Sequence, residues 1–196
     1  MKRSFALLGI ALLAFGTATA YAGNVVEGFE GTDFPPGGWS LSGSASLWLR
    51  STSCSGYGVG SASALADFYN VSSGSQNLIT LTFYPSVAGD TVRFAFAYAP
   101  YSSSYRDSLV ISSSTNGGTS WTQLGALSWA DSTAKGTTSQ FVPTSSQWAT
   151  KKYALPVGSN KVRFTGISKY GNEMYVDSVR ISGQNAPHDV GVSTVV

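Results

Sequence analysis

The sequence predicts an all-β chain folded as a two-sheet antiparallel β-sandwich. Three observations predict it. Apolar residues alternate with polar ones in about ten short runs bounded by Gly, Ser, Asn or Pro. No segment after residue 22 carries a helical apolar stripe. Charged residues are only 11% and aromatics reach 13%, a composition suited to an extracellular β protein rich in turns.

The first 22 residues stand apart from this pattern. Lys2 and Arg3 precede an apolar run at 5–15, and Ala-x-Ala follows at 18–20 and again at 20–22. A basic start, a short apolar stretch and a small-residue end read as a secretory signal peptide over 1–22. The apolar run is shorter than the about 20 residues a transmembrane helix needs. A secreted or cell-surface chain with no membrane span after signal removal is expected. Roughly 170 residues then remain, enough for one domain with its own core.

Residues 23–182 are expected to form that domain. The first strand falls at 25–30. The Phe-Pro-Pro-Gly-Gly-Trp segment at 34–39 reads as a turn-rich lead-in. Further strands are expected at 47–50, 63–69 and 78–84. Val92, Phe94, Phe96 and Tyr98 then share one face of a strand, with Arg93, Ala95 and Ala97 on the other. Leu109 and Ile111 repeat the alternation. The Asn-Gly-Gly at 116–118 favours a tight hairpin with positive φ, returning through a strand at 120–124. A polar connection at 129–147 carries Phe141, Val142 and Pro143, expected to anchor over a sheet edge. A strand at 148–155 follows, then Val162 with Phe164. Tyr175, Asp177, Val179 and Ile181, expected on one face, close the domain. Residues 183–188 read as a linker. Residues 189–196 read as the start of a following β module, or alternatively as an added edge strand.

Several function classes are disfavoured. The formal net charge is +2 and no Lys/Arg block occurs, so a nucleic-acid-binding face is not expected. Cys54 is the lone cysteine, so no internal disulfide forms; it reads as a small residue in a Ser/Gly-rich loop. The lone histidine is His188, in the tail, so neither a Ser-His triad nor a His-ligated zinc site can be assembled within the domain. No acidic pair shows a glycosidase signature. The domain is therefore not expected to be an enzyme.

The turn Ser-Thr-Asn-Gly-Gly-Thr-Ser-Trp at 114–121 resembles the Asp-box of sialidases, with Asn116 in place of the Asp and Ser120 in place of the Thr. That box repeats on propeller blades, whereas this chain has one copy and no repeat period. A hairpin device with Trp121 tucked under the turn is the better reading. The wider pattern is more specific. Val-Glu-Gly-Phe-Glu-Gly at 26–31, Phe-Pro-Pro-Gly-Gly-Trp at 34–39 and Gly-Ser-Ala-Ser-Ala at 60–64 lead it. Ala-Tyr-Ala-Pro-Tyr at 97–101, Tyr-Arg-Asp-Ser-Leu at 105–109 and the 115–121 turn form its middle. Phe-Val-Pro at 141–143, Gln147 with Trp148, Gly171 with Asn172, and Tyr-Val-Asp-Ser-Val at 175–179 complete it. In order and spacing these blocks resemble bacterial cleaved-adhesin and choice-of-anchor J domains, over nearly all of 25–182. The resemblance implies a jelly-roll sandwich akin to MAM domains, set among further domains of a secreted or surface protein.

Two candidate sites follow. Glu27 and Glu30 lie on the first strand and Asp177 on the last, and these strands commonly lie close in a jelly roll. A carboxylate from each, completed by backbone carbonyls, suits calcium, which takes about 6–8 oxygens. The resemblance implies a structural calcium of this kind. Glu30 and Asp177 form the leading pair; Glu27, Asp67 and Asp107 are secondary candidates. Ordinary hydrogen-bonded strand-end carboxylates are the competing reading. The second candidate is the aromatic loop at 98–105. Tyr98, Tyr101 and Tyr105, with Tyr57 alongside, offer ring faces and hydroxyls that suit a glycan or a protein ligand. Rings that merely close the end of the sandwich are the alternative. At the level of the whole chain, three readings stand: an adhesive or ligand-binding module, an accessory domain of a larger secreted enzyme such as a peptidase, and a structural spacer.

Overall fold

The structure, a computed structural model, describes residues 23–182. The expectations for 1–22, 183–188 and 189–196 lie outside the described residues. Eleven strands form two sheets. They are β1 (Val25–Glu27), β2 (Ser40–Gly43), β3 (Trp48–Ser51), β4 (Ser63–Ala66), β5 (Gly74–Ile79) and β6 (Thr91–Tyr98), then β7 (Ser108–Ser114), β8 (Thr122–Leu127), β9 (Ala149–Ala154), β10 (Lys161–Ser168) and β11 (Met174–Ile181). The first sheet runs β3-β4-β11-β6-β9, with β1 also on β11; the second runs β2-β5-β10-β7-β8. Every pairing is antiparallel. The sandwich is of jelly-roll type.

Alternation places the core. Val92, Phe94, Phe96 and Tyr98 of β6 point between the sheets and meet Val162 and Phe164 of β10. Phe94 and Phe164 pack edge to face at 5.1 Å, one ring from each sheet. Burying a Phe this fully contributes about 2–3 kcal/mol. Gln76 of β5 ties the two sheets together. Its Oε1 accepts the backbone N–H groups of Leu47 and Trp48, both at 2.7 Å, and its carbonyl accepts the Trp48 indole N–H at 3.0 Å.

Three expectations are corrected. Tyr175, Asp177, Val179 and Ile181 do not share a face. Val176, Val179 and Ile181 face the inter-sheet core, while Tyr175 packs on the outer side. A register shift between Asp177 and Arg180 reverses the alternation, with Ser178 at φ 50°. The 129–147 connection covers a sheet face rather than an edge. Phe141 joins Ala95, Ala97, Tyr175 and Trp148 in a second cluster on the outer side of β6 and β11. The alanines are small enough to let that segment approach, and the Tyr175 hydroxyl donates to the Phe141 carbonyl at 2.8 Å. Finally, the chain after Trp39 becomes β2, and β5 begins at Gly74 rather than at Leu78. Ser-Leu-Ser-Gly and Gly-Ser-Gln-Asn are too polar to show alternation, but they pair with each other, and β5 pairs on its other side with β10.

The 114–121 turn forms the β7–β8 hairpin. Gly117 and Gly118 take φ 72° and 99°, and the Trp121 ring sits so close to Gly118 that a methyl group there would meet it at 3.2 Å. Asn116 Oδ1 accepts the Ser120 N–H at 2.9 Å, the local job an Asp would do.

Candidate functional site

At one end of the sandwich three loops bring four tyrosines together. Tyr101 and Tyr105 come from the 99–107 loop after β6, Tyr69 follows β4, and Tyr170 precedes β11. Tyr105 packs edge to face with Tyr101 at 5.5 Å and with Tyr170 at 6.1 Å; Tyr69 lies 6.2 Å from Tyr101. With Gly171 they line a cleft of about 130 Å³. Tyr170 and Tyr105 stay 51% and 38% exposed, so the cleft is open to solvent on their side. Tyr101 also borders a shallower depression shared with Pro100 and Trp129. Arg106 covers the Trp129 ring at 5.4 Å.

The loops are held by two buried side chains. Asp107 is fully buried, and its carboxylate accepts the backbone N–H groups of Lys169, Gly171 and Asn172 at 2.7, 3.1 and 2.9 Å. Any side chain at Gly171 would overlap that carboxylate. Asn172 then reaches the next loop. Its Oδ1 accepts the Phe141 N–H, and its Nδ2 donates to the carbonyls of Thr137 and Ser139. Asp107 thus fastens the Tyr105 loop to the Tyr170 turn.

The other predicted tyrosines fall elsewhere. Tyr98 points into the inter-sheet core and is fully buried, so it offers no surface. Burial, then the Asp107 charge, pushes its phenol pKa up. Tyr57 sits in a 3-10 turn at Gly56–Gly58 and hydrogen-bonds Thr150 Oγ1 at 2.9 Å on the outer face of the first sheet. Cys54 lies part-buried beside Ser63, and burial pushes its thiol pKa up, as for a small packing residue. Tyr69 and Tyr170 escape sequence reasoning because they are far from 98–105 in the chain. The hint in the sequence is Tyr170 beside the Gly171-Asn172 turn.

The acidic candidates separate into two groups. Glu27, Glu30 and Asp177 do approach one another around Gly28. A methyl group built at Gly28 would meet Asp177 Oδ1 at 3.8 Å and Glu30 Oε1 at 3.9 Å. Asp177 is fully buried, and burial together with Glu30 and Glu27 pushes its pKa up to about 6 against the N–H bonds from Gly56 and Ser178. Glycines leave the space: a side chain at Gly60 would overlap Glu30, and one at Gly56 would meet Asp177 Oδ2 at 2.9 Å. Among the described residues no three acidic, His or Cys side chains gather tightly enough to hold a metal alone. A cation here would need backbone oxygens as well.

Asp67 belongs to a different pair. It holds Asn70 through two hydrogen bonds and lies beside Glu173, which is fully buried. Glu173 Oε1 accepts from Gln140 Nε2, and Oε2 has no hydrogen-bond partner among the described residues. Burial first, and the Asp67 charge against it, push the Glu173 pKa up from 4.5 to about 7. Between those values the folded state binds more protons than the unfolded chain, so stability falls as pH rises across this window. Glu173→Gln should remove that slope and stabilise the protein above pH 7. Urea melts in a pH series check this; parallel profiles for the two proteins contradict it.

No family model matches the chain, and no curated protein does. Solved structures do. The K1 cleaved adhesin domain of Lys-gingipain from Porphyromonas gingivalis W83 aligns with TM-score 0.62 at 15% identity, over 83% of this chain and 99% of that one. The K2 domain of Lys-gingipain aligns with TM-score 0.59 at 18% identity, over 81% and 98%. A structure described for carbohydrate-binding modules of the β-sandwich superfamily aligns with TM-score 0.50 at 15% identity, over 82% and 62%. The chain has a cleaved-adhesin-like fold.

Proposed function

We propose that this cleaved-adhesin-like sandwich is a non-catalytic binding module of a secreted or cell-surface protein, and that it holds a glycan in the tyrosine cleft. One observation carries the proposal: four tyrosines from three loops, two of them well exposed, line a single cleft braced by Asp107 and Asn172. Ring faces stack on the apolar faces of sugars, and phenol hydroxyls serve their polar edges. Rigid bracing lowers the entropy lost on binding. A likeness to adhesin and carbohydrate-binding sandwiches supports the reading without assigning a ligand. A glycan array probed with the purified chain should return at least one glycan class. An array blank across all classes overturns the proposal.

We further propose a structural calcium held by Glu30 and Asp177, with Glu27 nearby and backbone carbonyls completing the shell. Among the described residues the fully buried Asp177 carboxylate has no salt-bridge partner and has two acidic neighbours, which a divalent cation would relieve. The ion would supply stability, not chemistry. At calcium about 100-fold above its Kd the melting temperature should rise by about 5–10 °C. A chelator should reverse that rise, and Asp177→Asn should abolish the response. No shift with chelator contradicts the calcium site.

A further inference from the structure

The outer face of the first sheet carries a second feature, remote from the tyrosines. Arg93 of β6 stands directly opposite Arg180 of β11 on one side and Lys152 of β9 on the other. Directly opposed residues share a sheet face, so the three cations form one row across three strands. Their flanking residues Val92, Val179 and Ile181 point into the core, which fixes the row on the outer face. All three are exposed. Strands lie about 4.8 Å apart, so the row spans roughly 10 Å. Among the described residues the ion pair is Lys151 with Asp131, so none of the three cations of the row is in a salt bridge.

Like charges placed directly opposite destabilise a sheet. The arrangement therefore costs the fold something and gains it nothing. Beside the row lies a depression of about 290 Å³, lined by Gly56, Tyr57, Ala95 and Thr150 and edged by Arg93 and Arg180. Tyr57 is 44% exposed, and its bond to Thr150 Oγ1 fixes the ring as one wall. Asp177 is fully buried and takes the Gly56 N–H, and neither it nor its neighbours Glu27 and Glu30 line the depression.

We infer that the row and the depression form a binding site for an acidic polysaccharide, one bearing sulfate or uronate groups. The guanidinium forks of Arg93 and Arg180 pair such anions in bidentate fashion, and the depression beside Tyr57 takes a sugar ring. A short single row suits an extended polymer with charges at intervals. A nucleic acid calls for a broad basic face, which a chain of net charge +2 does not offer. The site is independent of the tyrosine cleft. Arg93 lies five strand positions, roughly 17 Å, from the Tyr98 end of β6, and Tyr101 lies in the loop beyond that end.

The test titrates the purified chain at low ionic strength with heparin, with polygalacturonate, and with poly-dT. At least one polysaccharide should bind, and affinity should fall as salt rises. Heparin alone points to sulfate and polygalacturonate alone to carboxylate. R93S/R180S should weaken binding about 10-fold or more without lowering the melting temperature, since it relieves a like-charge pair. Y101A/Y170A should leave this binding intact, which separates it from the cleft. The inference is overturned if neither polysaccharide binds, if R93S/R180S binds as tightly as the parent, or if poly-dT binds equally well.

Discussion

Asp107→Ala should destabilise the protein by about 3–5 kcal/mol in urea denaturation. The substitution leaves the amides of Lys169, Gly171 and Asn172 without their acceptor. Each buried amide left unpaired costs about 1–3 kcal/mol, and water entering from the Lys169 side softens the total. Gly171 packs directly on the carboxylate, so a cavity opens where the loop is tightest. Asp107→Asn should cost about 1–2 kcal/mol. Its carbonyl oxygen keeps the partners that Oδ1 has now, while its amide faces the Asn172 N–H donor to donor. A cost below about 1 kcal/mol for Asp107→Ala would show that the 168–172 turn is held by something else. The loss is also functional, because the same turn presents Tyr170 to the cleft.

Removing the cleft rings should abolish glycan binding while sparing the fold. Tyr101 borders both the tyrosine cleft and the neighbouring depression, and Tyr170 is the most exposed ring of the four in which exposure is large. Tyr101→Ala and Tyr170→Ala should each weaken affinity about 10-fold or more, which corresponds to about 1.4 kcal/mol. Neither ring belongs to the inter-sheet core, so stability should change by less than about 1 kcal/mol. Tyr57→Ala provides the control. That ring lies with Thr150 on the outer sheet face, and its loss should leave cleft binding unchanged.

Strand alternation made most of the sandwich legible. Val92 through Tyr98 assigned both faces of β6 correctly, because each face is buried by a different layer and the pattern is strict. The same logic failed at β11. One left-handed residue, Ser178, reverses the phase, and nothing in Tyr-Val-Asp-Ser-Val announces it. Strand β2 was hidden because a short polar strand owes its existence to its partner β5 rather than to its own pattern. The site was legible in part. Tyr101 and Tyr105 were visible as a local aromatic cluster. Tyr69 and Tyr170 join them only through folding, from loops far apart in sequence. Asp107 shows the same limit from the other side. As a carboxylate at a strand end it is a secondary metal-ligand candidate in the sequence, while the N–H groups it accepts lie more than 60 positions away, at Lys169, Gly171 and Asn172. Glu27, Glu30 and Asp177, by contrast, meet because β1 pairs with β11, as neighbouring first and last strands allow.

The most direct test is affinity electrophoresis through gels containing soluble neutral polysaccharides: xylan, galactan, glucomannan and mixed-linkage β-glucan. The parent chain and Tyr57→Ala should be retarded alike in at least one gel, and Y101A/Y170A should migrate in it as in a blank gel. Equal retardation of Y101A/Y170A and the parent, or free migration of the parent in every gel, would contradict a glycan-binding tyrosine cleft.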